Sequence, residues 1–155
     1  MLLGIDLGGT KIEGIVLKSR ENPEEVIRHR VNTEEEKGYS QVISNIKSLV
    51  DYIESNINHK FSKLGIGTPG TIDPESGLLK NSNSQCLNGM PIQKDLSKVL
   101  NKSILIQNDA NCFALAETLL GSVKDKHPNA KNVFGIIMGT GVGGGVIIDG
   151  KTVYG

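Results

Sequence analysis

Gln107-Asn-Asp-Ala-Asn-Cys-Phe-Ala-Leu-Ala-Glu117 is the stretch on which the reading of this chain turns. The apolar run before it, Ile104-Leu-Ile106, reads as a short buried strand that stops at the polar pair Asn108-Asp109. From Ala110 the spacing becomes helical, with Ala110, Phe113, Ala114 and Leu115 able to share one face. Asp109 therefore stands where a strand ends and a helix begins, which is the edge where open α/β sheets bind ligands. The first turn of a helix also offers free N–H groups and a positive dipole end that hold a carboxylate in place. Asn and Asp are the favoured helix caps as well. This stretch alone leaves capping and ligand chemistry both open, and two glycine turns elsewhere shift the balance.

The first is Asp6-Leu-Gly-Gly-Thr-Lys11, between the apolar runs Leu2–Ile5 and Ile12–Leu17. Two strands joined at Gly8-Gly9 read as a hairpin. The spacing from Gly4 to Gly9-Thr-Lys11 is a near miss to a Walker phosphate loop. It lacks the Gly-Lys-Ser/Thr order, and a strand follows where a helix is required. A glycine hairpin still lets backbone N–H groups approach a phosphate, and Asp6 at the strand end suits a hydrated Mg²⁺. The second turn is Gly139-Thr-Gly-Val-Gly-Gly-Gly145, between Val133–Met138 and Val146–Ile148. Gly139, Gly141 and Gly144 match a dinucleotide fingerprint by spacing, but that motif opens a helix and this one leads into a strand. A second phosphate-contacting hairpin containing Thr140 fits better.

Between these turns, Val26–Val31 reads as a third strand and Asn32–Lys37 as a charged loop. Tyr39–Ile57 places Val42, Ile43, Ile46, Leu49, Val50 and Ile53 at helical spacing, an amphipathic helix on a sheet. Leu64-Gly-Ile-Gly-Thr-Pro-Gly70 is a strand running into a turn. Thr71–Pro91 is the longest irregular stretch, and its Lys80-Asn-Ser-Asn-Ser-Gln-Cys-Leu-Asn-Gly89 segment fits either a plain surface loop or a loop holding a polyhydroxylated ligand. Pro91–Leu100 reads as a short helix, and Gly121–Lys131 as a hydrophilic connector.

Composition narrows the function classes. Seventeen basic residues balance 17 acidic ones, which leaves no basic field for nucleic acid. No apolar run approaches the roughly 18 residues of a membrane helix, and the N-terminal Met-Leu-Leu-Gly-Ile-Asp lacks the basic leader of a signal peptide. Cys86 and Cys112 have no zinc spacing, so unlinked thiols in the cytoplasm are expected. His29, His59 and His127 receive no role. At 155 residues the chain is long enough for one domain or for half of a two-domain protein.

Two hairpin phosphate turns with an aspartate between them at a strand–helix junction resemble the N-terminal half of a ROK-family sugar kinase, within the actin-like and hexokinase-like ATPases. Asp6–Lys11 resembles the first phosphate motif of that family and Met138–Gly145 the second. Asn108-Asp109-Ala-Asn111 resembles its catalytic-aspartate motif, and Gly67-Thr-Pro-Gly70 its sugar-side turn. The resemblance runs the length of the chain. It implies an α/β, ribonuclease H-like domain with a mixed five-stranded sheet and helices on both faces, residues 134–155 beginning a second lobe. It implies a kinase using ATP and Mg²⁺ on the 6-hydroxyl of a hexose, with Asp109 as general base. Gly8, Gly9, Thr10, Lys11, Gly139, Thr140 and Gly141 would face the phosphates, Asp6 the Mg²⁺ shell through water, and Gly70, Asn83, Asn108 and Asp109 the sugar.

Within the family, the Asn108–Glu117 run and the second glycine turn are most similar to bacterial N-acetylglucosamine kinases, with glucokinase and fructokinase as alternatives. Family members run to about twice this length, and the further half carries more sugar contacts, the adenine pocket and often a zinc site; a homodimer is the usual assembly. On that reading these 155 residues alone would have negligible kinase activity. The family's sugar-responsive repressors share the domain but place a DNA-binding helix-turn-helix ahead of it, whereas here the first strand starts at Leu2. A silent actin-like lobe would be expected to have lost Asp6, Asp109 or the glycine turns, and an iron–sulfur ATPase activator would need cysteines spaced for a cluster.

Overall fold

Apolar residues alternate with polar ones along β1 (Leu2–Leu7), β2 (Lys11–Leu17) and β3 (Glu25–Asn32), and this period of two builds the first sheet. After helix α1 (Tyr39–Ile57) come β4 (Lys63–Thr68), a small ribbon of β5 (Thr71–Ile72) and β6 (Leu79–Lys80), helix α2 (Ile92–Leu100) and β7 (Ser103–Asn108). The sheet has five strands in the order β3-β2-β1-β4-β7. β1 and β2 are antiparallel with Leu3 opposite Val16 and Leu7 opposite Ile12, β2 and β3 are antiparallel, and β1 and β4 are parallel with Ile5 beside Ile66. This is the mixed five-stranded sheet with helices that the sequence reading expects.

The computed structural model describes residues 1–138 and 141–153. The chain divides into two compact units, Met1–Gln107 and Asn108–Gly155. In the first, Leu3, Ile5, Leu7, Ile12, Val16, Leu64 and Ile66 form the buried side of the sheet, and Val42, Ile46, Leu49, Val50 and Ile53 of α1 are wholly buried in the same core. A methyl group on Gly14 of β2 would come within 2.5 Å of Ile53 Cδ1, so the absence of a side chain there lets α1 lie close to the strand. Each such apolar side chain contributes roughly 1.5–3 kcal/mol on burial, so packing rather than helix propensity holds α1.

The C-terminal end of α1 is fastened by a buried carboxylate. Glu54 accepts hydrogen bonds from the Phe61 amide at 2.8 Å and Lys60 Nζ at 2.9 Å, and pairs with Lys102 Nζ at 2.7 Å. Burial works against ionisation of Glu54, but the hydrogen bonds from Lys102, the Phe61 amide and Lys60 outweigh it and hold its carboxyl at about 2.

The second unit consists of α3 (Asp109–Leu119), α4 (Ser122–Lys126), β8 (Asn132–Met138), β9 (Val142–Ile148) and β10 (Lys151–Thr152). Its three strands are antiparallel in the order β10-β9-β8, and α3 packs on β8 and β9. Two sequence expectations change here. The connector 121–131 contains the short helix α4. The glycine turn expected to extend to Gly145 is already strand from Val142. The reason is packing: a methyl group on Gly143 would stand 3.2 Å from Ala110 Cβ, and one on Gly145 would stand 2.3 Å from the Ala110 carbonyl oxygen. These glycines let α3 seat on the strand. No helix among the described residues is long and apolar enough to cross a membrane.

Candidate active site

The β1–β2 connection is a tight turn in which the Gly8 amide donates to the Lys11 carbonyl at 3.0 Å. Thr33, just after β3 and almost fully buried, clamps it twice. Its amide donates to the Thr10 carbonyl at 2.9 Å and its hydroxyl to the Gly8 carbonyl at 2.7 Å. With those carbonyls occupied, and no acceptor among the described residues for the Gly9 and Thr10 N–H groups, the turn offers amide donors to an anion, as a phosphate-binding nest requires. Thr10 and Lys11 are exposed, and so is Asp6, which lies across from Glu13 in the β1–β2 ladder.

A second loop approaches this turn. A methyl group on Gly9 would stand 3.5 Å from Ser84 Oγ and 3.7 and 3.8 Å from the two carboxylate oxygens of Glu35. Ser84 neighbours Asn83, so the phosphate turn and the loop read as sugar-binding meet in the first unit. That loop is built rather than loose. The Ser82 amide donates to Asn88 Oδ1 and Asn88 Nδ2 donates back to the Ser82 carbonyl, both at 2.9 Å. The Ser84 amide donates to Ser82 Oγ at 3.1 Å, and Leu87 is wholly buried in the 3-10 turn Gln85–Leu87. Asn83 remains exposed at the rim of an open cavity of about 600 Å³, which Asp73, Lys80, Ser82, Gln85 and Asn88 also line. Gly70 is buried beneath this loop: a methyl group there would come within 2.5 Å of the Lys80 carbonyl and 3.2 Å of Ser82 Cβ.

In the second unit, the β7–α3 junction separates two roles that the sequence left open. Asn108 is the cap, its Oδ1 accepting from the Ala110 amide at 3.1 Å and the Asn111 amide at 3.3 Å. Asp109 is the first residue of the helix; its Oδ1 accepts from the Ala110 amide at 2.7 Å, while its other oxygen accepts from no described group. A helix N-terminus fixes that carboxylate by amide and dipole together. Gly141 is exposed just ahead of β9. Gly139 and Thr140, the other expected contacts of the second phosphate turn, lie outside the described residues.

Thr33, Glu35, Ser82, Ser84 and Asn88 were not singled out from sequence. Thr33 and Glu35 sit in a segment whose charge pattern resembles a solvated loop, and only the fold carries them to the turn at Gly9. The Asn-Ser alternation of 81–84 was the one available signal for the serines. Among the described residues no group of three His, Cys, Asp or Glu side chains could hold a metal ion.

The family model for the ROK family matches residues 2–155. The N-acetyl-D-glucosamine kinase of Aliivibrio fischeri is 40% identical over 155 residues, which is 100% of this chain and 48% of that protein. The N-acetyl-D-glucosamine kinase of Yersinia pestis bv. Antiqua is 37% identical over the same 155 residues, 57% of its own length. The chain spans about half the length of the curated relatives it matches. Among solved structures, a ROK family glucokinase from Streptomyces griseus in complex with glucose and AMPPNP superposes with a TM-score of 0.84 at 25% identity, over 99% of this chain and 46% of that one. The ROK hexokinase from Thermus thermophilus superposes with a TM-score of 0.80 at 28% identity, over 99% and 49%. Motif order, fold and family match agree from Leu2 onward: the chain belongs to the ROK family.

Proposed function

We propose that this protein is an ATP-dependent sugar kinase that phosphorylates the 6-hydroxyl of a hexose or N-acetylhexosamine, N-acetylglucosamine first. The observation that carries the reading is the division of labour at the β7–α3 junction. Asn108 does the capping, and Asp109 keeps a carboxylate oxygen available at the helix start. The relatives 37–40% identical over the whole chain support N-acetylglucosamine as acceptor.

In this reading Asp109 is the general base. It takes the proton from the sugar hydroxyl as that oxygen bonds to the γ-phosphorus of ATP and the bond to the β,γ-bridging oxygen breaks. Little covalent help is needed; positioning and charge stabilisation supply most of the rate. The turn amides at Gly9 and Thr10, with Gly8 closing the turn through its own amide bond to the Lys11 carbonyl, the Lys11 ammonium, and the second turn at Gly139, Thr140 and Gly141 hold the phosphates. Gly70, Asn83 and Asn108 hold the sugar. Asp6, a single exposed carboxylate at a strand end, fits a hydrated Mg²⁺, which commonly keeps several waters and one or two carboxylates. An ion held there would supply positive charge against the phosphates.

The test is ATP consumption by the complete gene product with N-acetylglucosamine, N-acetylmannosamine, glucose and fructose. Turnover with N-acetylglucosamine at the highest kcat/KM supports the reading. Tight sugar binding without turnover of any sugar contradicts it and favours a sugar sensor. We also propose that a protein limited to these 155 residues has negligible activity, because the other half of the family's length supplies further sugar and adenine contacts. Sugar-dependent ATP turnover by that protein would overturn this part.

A further inference from the structure

Beyond the Leu7–Ile12 pair of the β1–β2 ladder, Gly8 faces Lys11; beyond the Lys11–Asn32 pair of the β2–β3 ladder, Thr10 faces Thr33. A hydrogen-bonded pair of antiparallel residues ordinarily exchanges two backbone bonds. Each of these pairs makes only one, from the Gly8 amide to the Lys11 carbonyl at 3.0 Å and from the Thr33 amide to the Thr10 carbonyl at 2.9 Å. The returning bonds, from the Lys11 amide to Gly8 and from the Thr10 amide to Thr33, are absent among the described residues. Side chains take the two carbonyls instead. The Thr33 hydroxyl donates to the Gly8 carbonyl at 2.7 Å, and Asn45 Nδ2 on α1 donates to the Thr33 carbonyl at 3.1 Å. Thr33 is 1% exposed, and Asn45 is itself held in place. Its Nδ2 also reaches the Asn32 carbonyl at 3.2 Å, its Oδ1 accepts from Gln41 Nε2 at 2.9 Å, and the next residue, Ile46, is wholly buried in the core.

The consequence is that the backbone N–H groups of Thr10 and Lys11, both exposed residues, have no internal acceptor among the described residues. Together with the Gly9 amide and the Lys11 ammonium they concentrate donors at one turn, and charge-assisted bonds to phosphate oxygens are the strong use of such donors. We infer that Thr33 is a positioning residue for the nucleotide phosphates. By engaging the Gly8 carbonyl, its hydroxyl keeps the Lys11 amide for a phosphate oxygen, and Asn45 does the same for the Thr10 amide through the Thr33 carbonyl. Thr33 itself touches no substrate. Without its hydroxyl, the Lys11 amide can fold back onto the Gly8 carbonyl, the ordinary closure of a two-residue hairpin, and one donor is withdrawn from the ligand. The inference rests on the ATP-kinase reading of this turn and adds the residues that set its donor geometry.

The experiment measures binding of inorganic tripolyphosphate, of a non-hydrolysable ATP analogue and of the sugar by calorimetry, for the complete gene product and for Thr33→Val and Thr33→Ser. Valine keeps the shape of threonine without the hydroxyl, and serine keeps the hydroxyl. Thr33→Val is expected to weaken tripolyphosphate and ATP-analogue binding about tenfold, the worth of one hydrogen bond to a charged group, with sugar affinity unchanged. Thr33→Ser should bind both phosphate ligands as wild type does. Hydrogen exchange on the wild type adds a readout that needs no variant: the Thr10 and Lys11 amides should exchange rapidly in the free protein and slow when tripolyphosphate binds. In Thr33→Val the Lys11 amide should already be slower before ligand is added. A Thr33→Val protein with a lower unfolding midpoint but wild-type phosphate affinity overturns the inference, since Thr33 would then only pin the end of β3. Equal losses of sugar and phosphate affinity, no rescue by serine, or Thr10 and Lys11 amides already protected in the free wild type overturn it as well. In each of these cases an active wild type leaves the kinase reading standing. A wild type that binds neither tripolyphosphate nor the ATP analogue ends both.

Discussion

Asn108 and Asp109 have side chains of almost equal size, yet one closes the helix end and the other presents a carboxylate. The cause is local backbone: Asn108 sits at φ −59° and ψ 140°, outside the helix, where a side-chain oxygen reaches back to the amides of Ala110 and Asn111. Asn108→Ala is expected to lower stability by about 1 kcal/mol, read by urea unfolding, and to raise the KM for sugar. Sequence showed the pair and its place at a strand–helix junction, but two adjacent capping residues cannot be ranked without φ and ψ. Glu54 gives a second prediction. Its folded value of about 2 lies below the ordinary carboxylate value, roughly 4.3 unfolded. Its contribution is therefore complete above about pH 5 and fades as pH falls toward the folded value. Glu54→Gln, which leaves Lys102 without its partner carboxylate, should cost on the order of 3 kcal/mol at pH 7. The difference from wild type should shrink steadily between pH 5 and pH 2; a gap that stays constant would contradict the assignment.

Long periodic elements were legible and short ones were not. The β1–β2 hairpin, α1 and the β7–α3 junction follow from alternation, helical spacing and the polar pair. The β5–β6 ribbon, α4 and β10 are two to five residues long, too short for any period to show. The glycine run of β9 was misread in extent because its purpose is a contact with α3, which no local pattern reveals. That contact is testable. Gly145→Ala would drive a methyl group into the Ala110 carbonyl, where backbone cannot yield cheaply, and so displace the first turn of α3 that carries Asp109. We expect kcat to fall at least tenfold, at a modest loss of thermal stability. Gly65→Ala, a glycine in β4 whose added methyl meets nothing within 4 Å, is the control and should behave as wild type.

At the scale of the whole chain, the face of β8 and β9 turned away from α3 carries Phe134, Ile136, Met138, Val142, Val146 and Ile148, all exposed, with Met138 at 81% and Val142 at 78%. Contiguous apolar patches of this kind are rarely left open to water. A protein limited to these residues should bind a hydrophobic dye strongly, and Ile136→Lys should reduce that binding. The central claim, that Asp109 is the base of a sugar kinase, is tested most directly by Asp109→Asn in the complete gene product, with kcat, KM and sugar affinity measured together. The account predicts a kcat lower by about 10²- to 10⁴-fold with KM and sugar affinity nearly unchanged. A variant that keeps wild-type kcat, or one that loses activity only because it no longer binds sugar, would contradict it.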